Sequence, residues 1–229
     1  MSVCKVCNGT TWVFSTNEQG YEVAAPCECR EKAIAVKLLA ASGISEDDQK
    51  KGFKGFETFG EPVLENAKQT ATLYYQNFGT IEGERINSLM LCGASGRGKT
   101  TLGLAVANNL LNTGVGIRYM PYRDEVTTLK QQLGADDKTL YIDRIYRLKT
   151  ARVLFIDDLL KGKVNETDIN IMYEVINYRY LQRKPVIVST EKTIEQLLEF
   201  DEAIGSRLIE MSKGYIITFD SSVPNYRLR

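Results

Sequence analysis

From residue 61 onward the chain alternates between two hydrophobic periods. Pro62 suits a first helical turn, and Val63, Leu64, Ala67, Ala71, Tyr74, Tyr75 and Phe78 then recur at helical spacing until Gly79. Five short apolar runs follow, Ser88–Cys92, Val115–Met120, Val153–Ile156, Pro185–Ser189 and Tyr215–Phe219. They are barely diluted by polar residues, as strands covered on both faces must be. Helical patterns lie between them at 99–112, 122–132, 138–149, 166–182 and 193–211, and Thr193-Ile194-Glu195-Gln196 is a capping box opening the last. Strand alternating with helix predicts an α/β fold around a five-stranded parallel sheet.

Ahead of residue 61 the pattern is different. A segment between two cysteine pairs reads as a β-hairpin. Arg30–Ala41 reads as a short helix with Ile34, Leu38 and Leu39 on one side and Gly43 past its end. Residues 44–60 are polar and Gly-rich, with Phe53, Phe56 and Phe59 three apart, which predicts a linker whose aromatics dock on a surface. The expected division is a small N-terminal module with its helix at 1–43, the linker at 44–60 and the α/β domain at 61–229.

Length and composition narrow the classes. A chain of 229 residues suits one medium domain plus an appendage. Its 29 basic and 29 acidic side chains cancel, so a nucleic-acid surface would have to be a local patch. No apolar run approaches the roughly 18 residues that cross a bilayer, and the opening residues do not read as an export signal. The expected compartment is therefore the cytoplasm, with no membrane partner. There, clustered cysteines serve as metal ligands more often than as disulfides.

Gly93-Ala94-Ser95-Gly96-Arg97-Gly98-Lys99-Thr100 matches the phosphate-binding G-x4-G-K-T loop at every defined position. Glycines let backbone N–H groups turn inward toward phosphate oxygens, and the helix that follows presents its positive end. Lys99 is expected to reach the β and γ phosphates of ATP, and the Thr100 hydroxyl to ligate Mg2+. With Thr101, these nine positions are the expected nucleotide contacts. Cys92, just before the loop, reads as a small buried strand residue rather than a reactive thiol.

Val153-Leu154-Phe155-Ile156-Asp157-Asp158 is an apolar strand ending in two carboxylates. Beside a phosphate loop this reads as the Walker B element. Asp157 is expected to hold Mg2+, and Asp158 to act as general base on the attacking water. The strand at Pro185–Ser189 ends in Thr190 and Glu191, and either could touch the γ-phosphate or the water. Arg207, in Gly205-Ser206-Arg207-Leu208, is either a surface arginine or a finger acting on a neighbouring subunit's nucleotide. Arg144, Arg147, Lys149 and Arg152 form a basic run, followed by Lys161 and Lys163. These are either a solvated face or a track for a phosphate backbone.

Cys4-Lys5-Val6-Cys7 and Cys27-Glu28-Cys29 form two close pairs. Four thiolates suit tetrahedral Zn2+, and with no histidine in the chain the site must be all-sulfur. An iron–sulfur cluster or unliganded cysteines are the alternatives. Four sulfurs leave no open position, so the role is structural. Thirty residues bury little core, so a metal would supply most of the module's folding energy.

Together the Cys4 module, the Phe-rich linker, the helix ending Tyr-Tyr-Gln-Asn-Phe, the phosphate loop and Ile-Asp-Asp-Leu resemble the DnaC/DnaI-type helicase loaders and their IstB-like relatives. These are AAA+ ATPases, and the resemblance spans roughly residues 50–220. It implies a parallel sheet in which the phosphate-loop strand lies between the fourth and fifth strands. It implies ATP hydrolysis to ADP, slow and stimulated by a partner or DNA. It also implies loading of a DnaB-type replicative helicase onto single-stranded DNA, with the N-terminal module gripping the helicase. Lys99, Thr100, Asp157 and Asp158 match the Walker positions, and Ser206-Arg207 match the box containing the arginine finger. Glu191 stands where the family usually shows asparagine. About ten residues follow the last strand, which leaves no room for a C-terminal helical lid, so a neighbour in an ATP-bound homo-oligomer would complete the site. The short chain favours a phage or mobile-element origin. A transposition helper and a small-molecule kinase are the alternative functions.

Overall fold

The computed structural model describes residues 4–17, 19–220, 223 and 225. The expected absence of a lid after the last strand falls largely outside them. Two strands, β1 (Trp12–Thr16) and β2 (Glu22–Pro26), pair antiparallel with Trp12 opposite Pro26, which is the hairpin expected between the cysteine pairs. Helix α1 (Cys29–Ser42) follows and stops at Gly43, whose φ of 82° suits glycine at a helix end. Leu38 and Leu39 of α1 pack on the core of the main domain.

Residues 44–60 lie against that core as well. Two single turns of 3-10 helix, Asp48–Lys50 and Phe53–Gly55, are fastened by Asn108, whose amide donates to the carbonyls of Asp48 and Lys51, each at 2.7 Å. Phe56 is fully buried and Phe53 tilts against Tyr75 with centroids 5.9 Å apart. Phe59 is 47% exposed, in a turn where it and Gly60 have φ of 53° and 71°.

Helix α2 (Pro62–Ile81) opens with Pro62 in its first turn and buries Leu64, Ala67, Ala71, Tyr74 and Phe78. The main sheet consists of β3 (Leu89–Gly93), β4 (Ile117–Pro121), β5 (Val153–Leu159), β6 (Val186–Thr190) and β7 (Ile216–Phe219). All pairings are parallel and the spatial order is β4-β5-β6-β3-β7. The phosphate-loop strand thus lies between the fourth and fifth strands of the sheet, as the resemblance implied.

Alternate residues of the strands feed two separate cores. Leu89, Leu91, Val153, Phe155 and Ile187 face α2 and α3 (Lys99–Asn112). Met90, Leu154, Ile156, Val186 and Val188 face α4 (Tyr122–Leu133), α5 (Thr139–Thr150), α6 (Glu166–Leu181) and the two helices before β7. Cys92 is fully buried in the second core, and burial pushes its thiol up to about 12. Gly103 of α3 sits against the Phe155 ring, where a Cβ would collide.

One helix expectation is corrected. The pattern at 193–211 is two helices, α7 (Ile194–Phe200) and α8 (Glu202–Met211). Asp201 breaks them, with extended backbone and a carboxylate accepting from Ile204 N at 2.7 Å, a side-chain cap that starts a second helix. The capping box at Thr193 opens the first of the pair as expected. Buried Arg179 on α6 donates to the carbonyls of Leu148, Lys149, Ala151, Arg152 and Pro185, tying the end of α5 to the start of β6. Among the described residues no helix is long and apolar enough to cross a membrane.

Candidate functional site

β3 delivers the chain into a loop built on three glycines with positive φ, Gly93 (131°), Gly96 (75°) and Gly98 (93°). A Cβ at Gly93 would collide with the carbonyl of Phe219, so only glycine lets β7 run this close. A Cβ at Gly96 would collide with the side chain of Asn225, which lies against the loop and was not anticipated from the sequence. Gly98 caps α3, whose first turn therefore points free N–H groups into the loop. Lys99 is almost buried, and its ammonium donates to Ala94 O at 2.8 Å across the loop. Burial lowers its proton affinity, while the charges of Asp158 and Glu191 oppose that shift. Ser95, Gly96, Gly98, Thr100, Thr101 and Asp158 line the adjoining cleft with Lys99. Arg97 leaves its Nε without a hydrogen-bond partner among the described residues.

The two halves of the expected site meet at Asp157. Its Oδ1 accepts from Thr100 Oγ1 at 2.9 Å and from Ser189 Oγ at 2.5 Å, and its Oδ2 accepts from Tyr119 Oη at 2.9 Å. Ser189 also accepts from Asp158 N at 2.8 Å. Burial, then the Asp157 charge, pushes the Tyr119 phenol well above its usual range, so it remains a donor. Neither Ser189 nor Tyr119 was singled out from sequence. The available signal was polar residues at the C-terminal ends of buried strands, where α/β proteins bind ligands.

Asp158 has φ of 58° and lies where the β5–β6 register shifts between Ile156 and Leu159. This bulge turns its carboxylate toward the cleft. Lys161 pairs with Asp158 Oδ2 at 2.8 Å and with Glu191 Oε1 at 3.1 Å, so it belongs to this site and not to a basic track. Burial alone would raise the pKa of Glu191; hydrogen bonds from Lys161 and Ser95 hold it below the usual carboxylate range. Thr190 is placed differently. It is fully buried, its hydroxyl donates to Leu159 O at 2.9 Å, and it does not line the cleft. Of the two alternatives at this strand end, Glu191 is the one beside the loop.

Arg207 lies on α8 away from its own cleft. It donates to Asn177 Oδ1 at 3.1 Å and Ala203 O at 2.6 Å, with its guanidinium 5.3 Å from the centre of the Tyr173 ring and 5.4 Å from that of Tyr180. The basic run is neutralised. Arg144 pairs with Glu125, Arg147 with Asp143, Lys149 with Glu174 and Arg152 with Glu82.

The four cysteines converge. Their Sγ atoms all lie within 4.8 Å of one another, with Cys4–Cys27 at 3.9 Å and Cys7–Cys29 at 3.4 Å. Tetrahedral zinc with sulfur at about 2.3 Å needs sulfurs roughly 3.8 Å apart, so the donor set fits. Asn8 and Gly9 have φ of 49° and 83°, which curls backbone amides toward the sulfurs. Burial would raise the Cys7 thiol, but hydrogen bonds from Cys29 and from the Thr11 and Gly9 amides bring it down to about 6.

The model of the IstB-like ATP-binding proteins matches residues 64–210. The chain is 39% identical to the phage-like element PBSX protein XkdC of Bacillus subtilis, over 89% of this chain and 77% of that one. Among solved structures, that of DnaI superposes with a TM-score of 0.64, covering 81% of this chain and 95% of that one at 20% identity. The DnaC helicase loader superposes with a TM-score of 0.58, covering 77% of this chain and all of that one, also at 20% identity. At that identity these two likenesses concern the fold.

Ser189 is the joint on which both carboxylates of β5 depend. Ser189→Ala leaves Asp157 and the Asp158 amide one partner short each, which predicts a loss of about 1–3 kcal/mol in the nucleotide-free protein. Urea unfolding measures it. An unchanged midpoint would show that these bonds carry no weight.

Proposed function

The chain belongs to the IstB-like ATP-binding protein family, and on that premise we propose that it hydrolyses ATP to ADP and phosphate to drive loading of a DnaB-type replicative helicase onto single-stranded DNA. The observation that carries the ATPase half is Thr100 meeting Asp157 at 2.9 Å beneath a loop closed by Lys99. In this reading Lys99 contacts the β and γ phosphates, and Gly93 to Thr101 supply the surrounding contacts. Thr100 and Asp157 hold Mg2+, which neutralises charge on the phosphate oxygens. Asp158 takes the proton of the attacking water. Glu191, rather than Thr190, fills the post beside the γ-phosphate.

Arg207 serves a neighbouring subunit, because it does not line its own cleft. On this reading the active form is an ATP-bound homo-oligomer. The same division into 1–43, 44–60 and 61–229 goes with this reading. Cys4, Cys7, Cys27 and Cys29 hold structural Zn2+, and the module they fold presents Phe14 and Tyr21, 67% and 69% exposed, to the helicase. The fold shared with a helicase loader and the relative from a phage-like element both support this assignment. The ion-paired basic run gives no support for a DNA track there. The family's IS21 description favours a second reading, a transposition helper, built on the same cradle.

Metal analysis of the purified chain should give one zinc per chain. A metal-free chain with a folded hairpin would remove the Cys4 assignment. Capture of the replicative helicase separates the two functional readings. The wild type should retain it in an ATP-dependent way, and Lys99→Ala should lose the dependence together with about 100-fold in ATP affinity, near 2.7 kcal/mol. No capture with or without ATP would contradict helicase loading. Unchanged ATP affinity in the variant would contradict the cradle.

A further inference from the structure

Lys161 has no part in the roles above, yet it pairs with a carboxylate that lines the cleft, Asp158. It follows β5 by two residues, and its ammonium bridges Asp158 and Glu191, carboxylates at the ends of neighbouring strands. The backbone is built to put it there. Asp158, Leu160 and Gly162 have φ of 58°, 60° and 84°, and Lys161 N donates to Asp158 O at 3.1 Å. Two non-glycine residues in the left-handed region within three positions make a tight and costly turn, which folds the lysine back over the strand ends. An exposed pair three residues apart is ordinarily worth little. This one differs in reaching a second strand end, and in engaging a carboxylate that lines the cleft with Lys99. The hydrogen bond to Asp158 leads in holding the Lys161 ammonium above the usual lysine range.

We propose that Lys161 restrains hydrolysis: in the resting cleft it occupies Asp158, and release of that carboxylate limits intrinsic turnover. The inference rests on the ATPase reading. In the reaction the water oxygen bonds the γ-phosphorus, the bond from that phosphorus to the bridging oxygen breaks, and ADP leaves with the bridging oxygen. The proton shed by the water passes to Asp158. The Lys161 ammonium, 2.8 Å from Oδ2, occupies the oxygen on which the proton would otherwise land. Glu191 offers a second berth, so the ammonium stays paired when it leaves Asp158. Lys161 acts through Asp158 and is a positioning residue.

The test is steady-state turnover and ATP affinity of the full chain for wild type, Lys161→Met, Lys161→Gln and Lys161→Arg, with Lys99→Ala as control. Met keeps the stem without charge, and Gln keeps a donor without charge. Both should raise kcat roughly three- to ten-fold with KM for ATP changed by less than about two-fold. Lys161→Arg should stay near wild type, since it keeps the charge. If Met does not fold, the Gln and Arg variants carry the comparison. Uncharged variants that bind ATP but turn over no faster than wild type overturn the restraint and leave the ATPase reading standing. If Lys99→Ala turns over like wild type, or no form binds ATP, the ATPase reading fails and the restraint with it.

Discussion

A nearly buried carboxylate, Asp157 on β5, ties three other elements of this molecule to one point. Burying a charge is costly unless every lone pair finds a donor. Here the donors are hydroxyls from three other elements: Thr100 from α3, Tyr119 from β4 and Ser189 from β6. Each hydrogen bond to a charged group contributes about 1.5–3 kcal/mol. The strand order β4-β5-β6-β3 is what lets those donors reach one point. The phosphate loop is located by the same point, because Thr100 is the second residue of the helix that the loop opens. Sheet topology and site geometry are therefore one constraint.

The same constraint positions Asp158. Its amide is held by Ser189, while its side chain lies on the other side of a bulge, facing the cleft. One residue of sequence separates a carboxylate that accepts from three hydroxyls from one that pairs with the Lys161 ammonium. In the proposed reaction the first would hold the metal and the second would take the proton of the attacking water.

The strands, the loop and both carboxylates were legible because they depend on local sequence: apolar runs, glycines at fixed offsets and an acidic strand end. What was not legible depends on residues far apart. Ser189 and Tyr119 become visible only once β6 and β4 flank β5. The basic run read equally as a solvated face or a phosphate track, and only the fold brings Glu82 from the end of α2, Glu125 from α4 and Glu174 from α6 to pair with it. Lys161 was read with that run for the same reason. The break at Asp201 was a local signal outweighed by continuous apolar spacing. The N-terminal reading was sound for the hairpin, but spacing could not show that α1 begins at Cys29 and ends with Leu38 and Leu39 packed on the main core. Since α1 packs against α3, the cysteine cluster and the phosphate loop are joined by two helices in contact.

In the proposed site Asp157 brings nucleotide and magnesium to one place. Titrating Mg2+ into ATP-binding measurements on the wild type and on Asp157→Asn tests it most directly. The account predicts that Mg2+ tightens ATP binding in the wild type, and that this gain is lost in Asp157→Asn while metal-free binding persists. Equal magnesium dependence in the two proteins would contradict it.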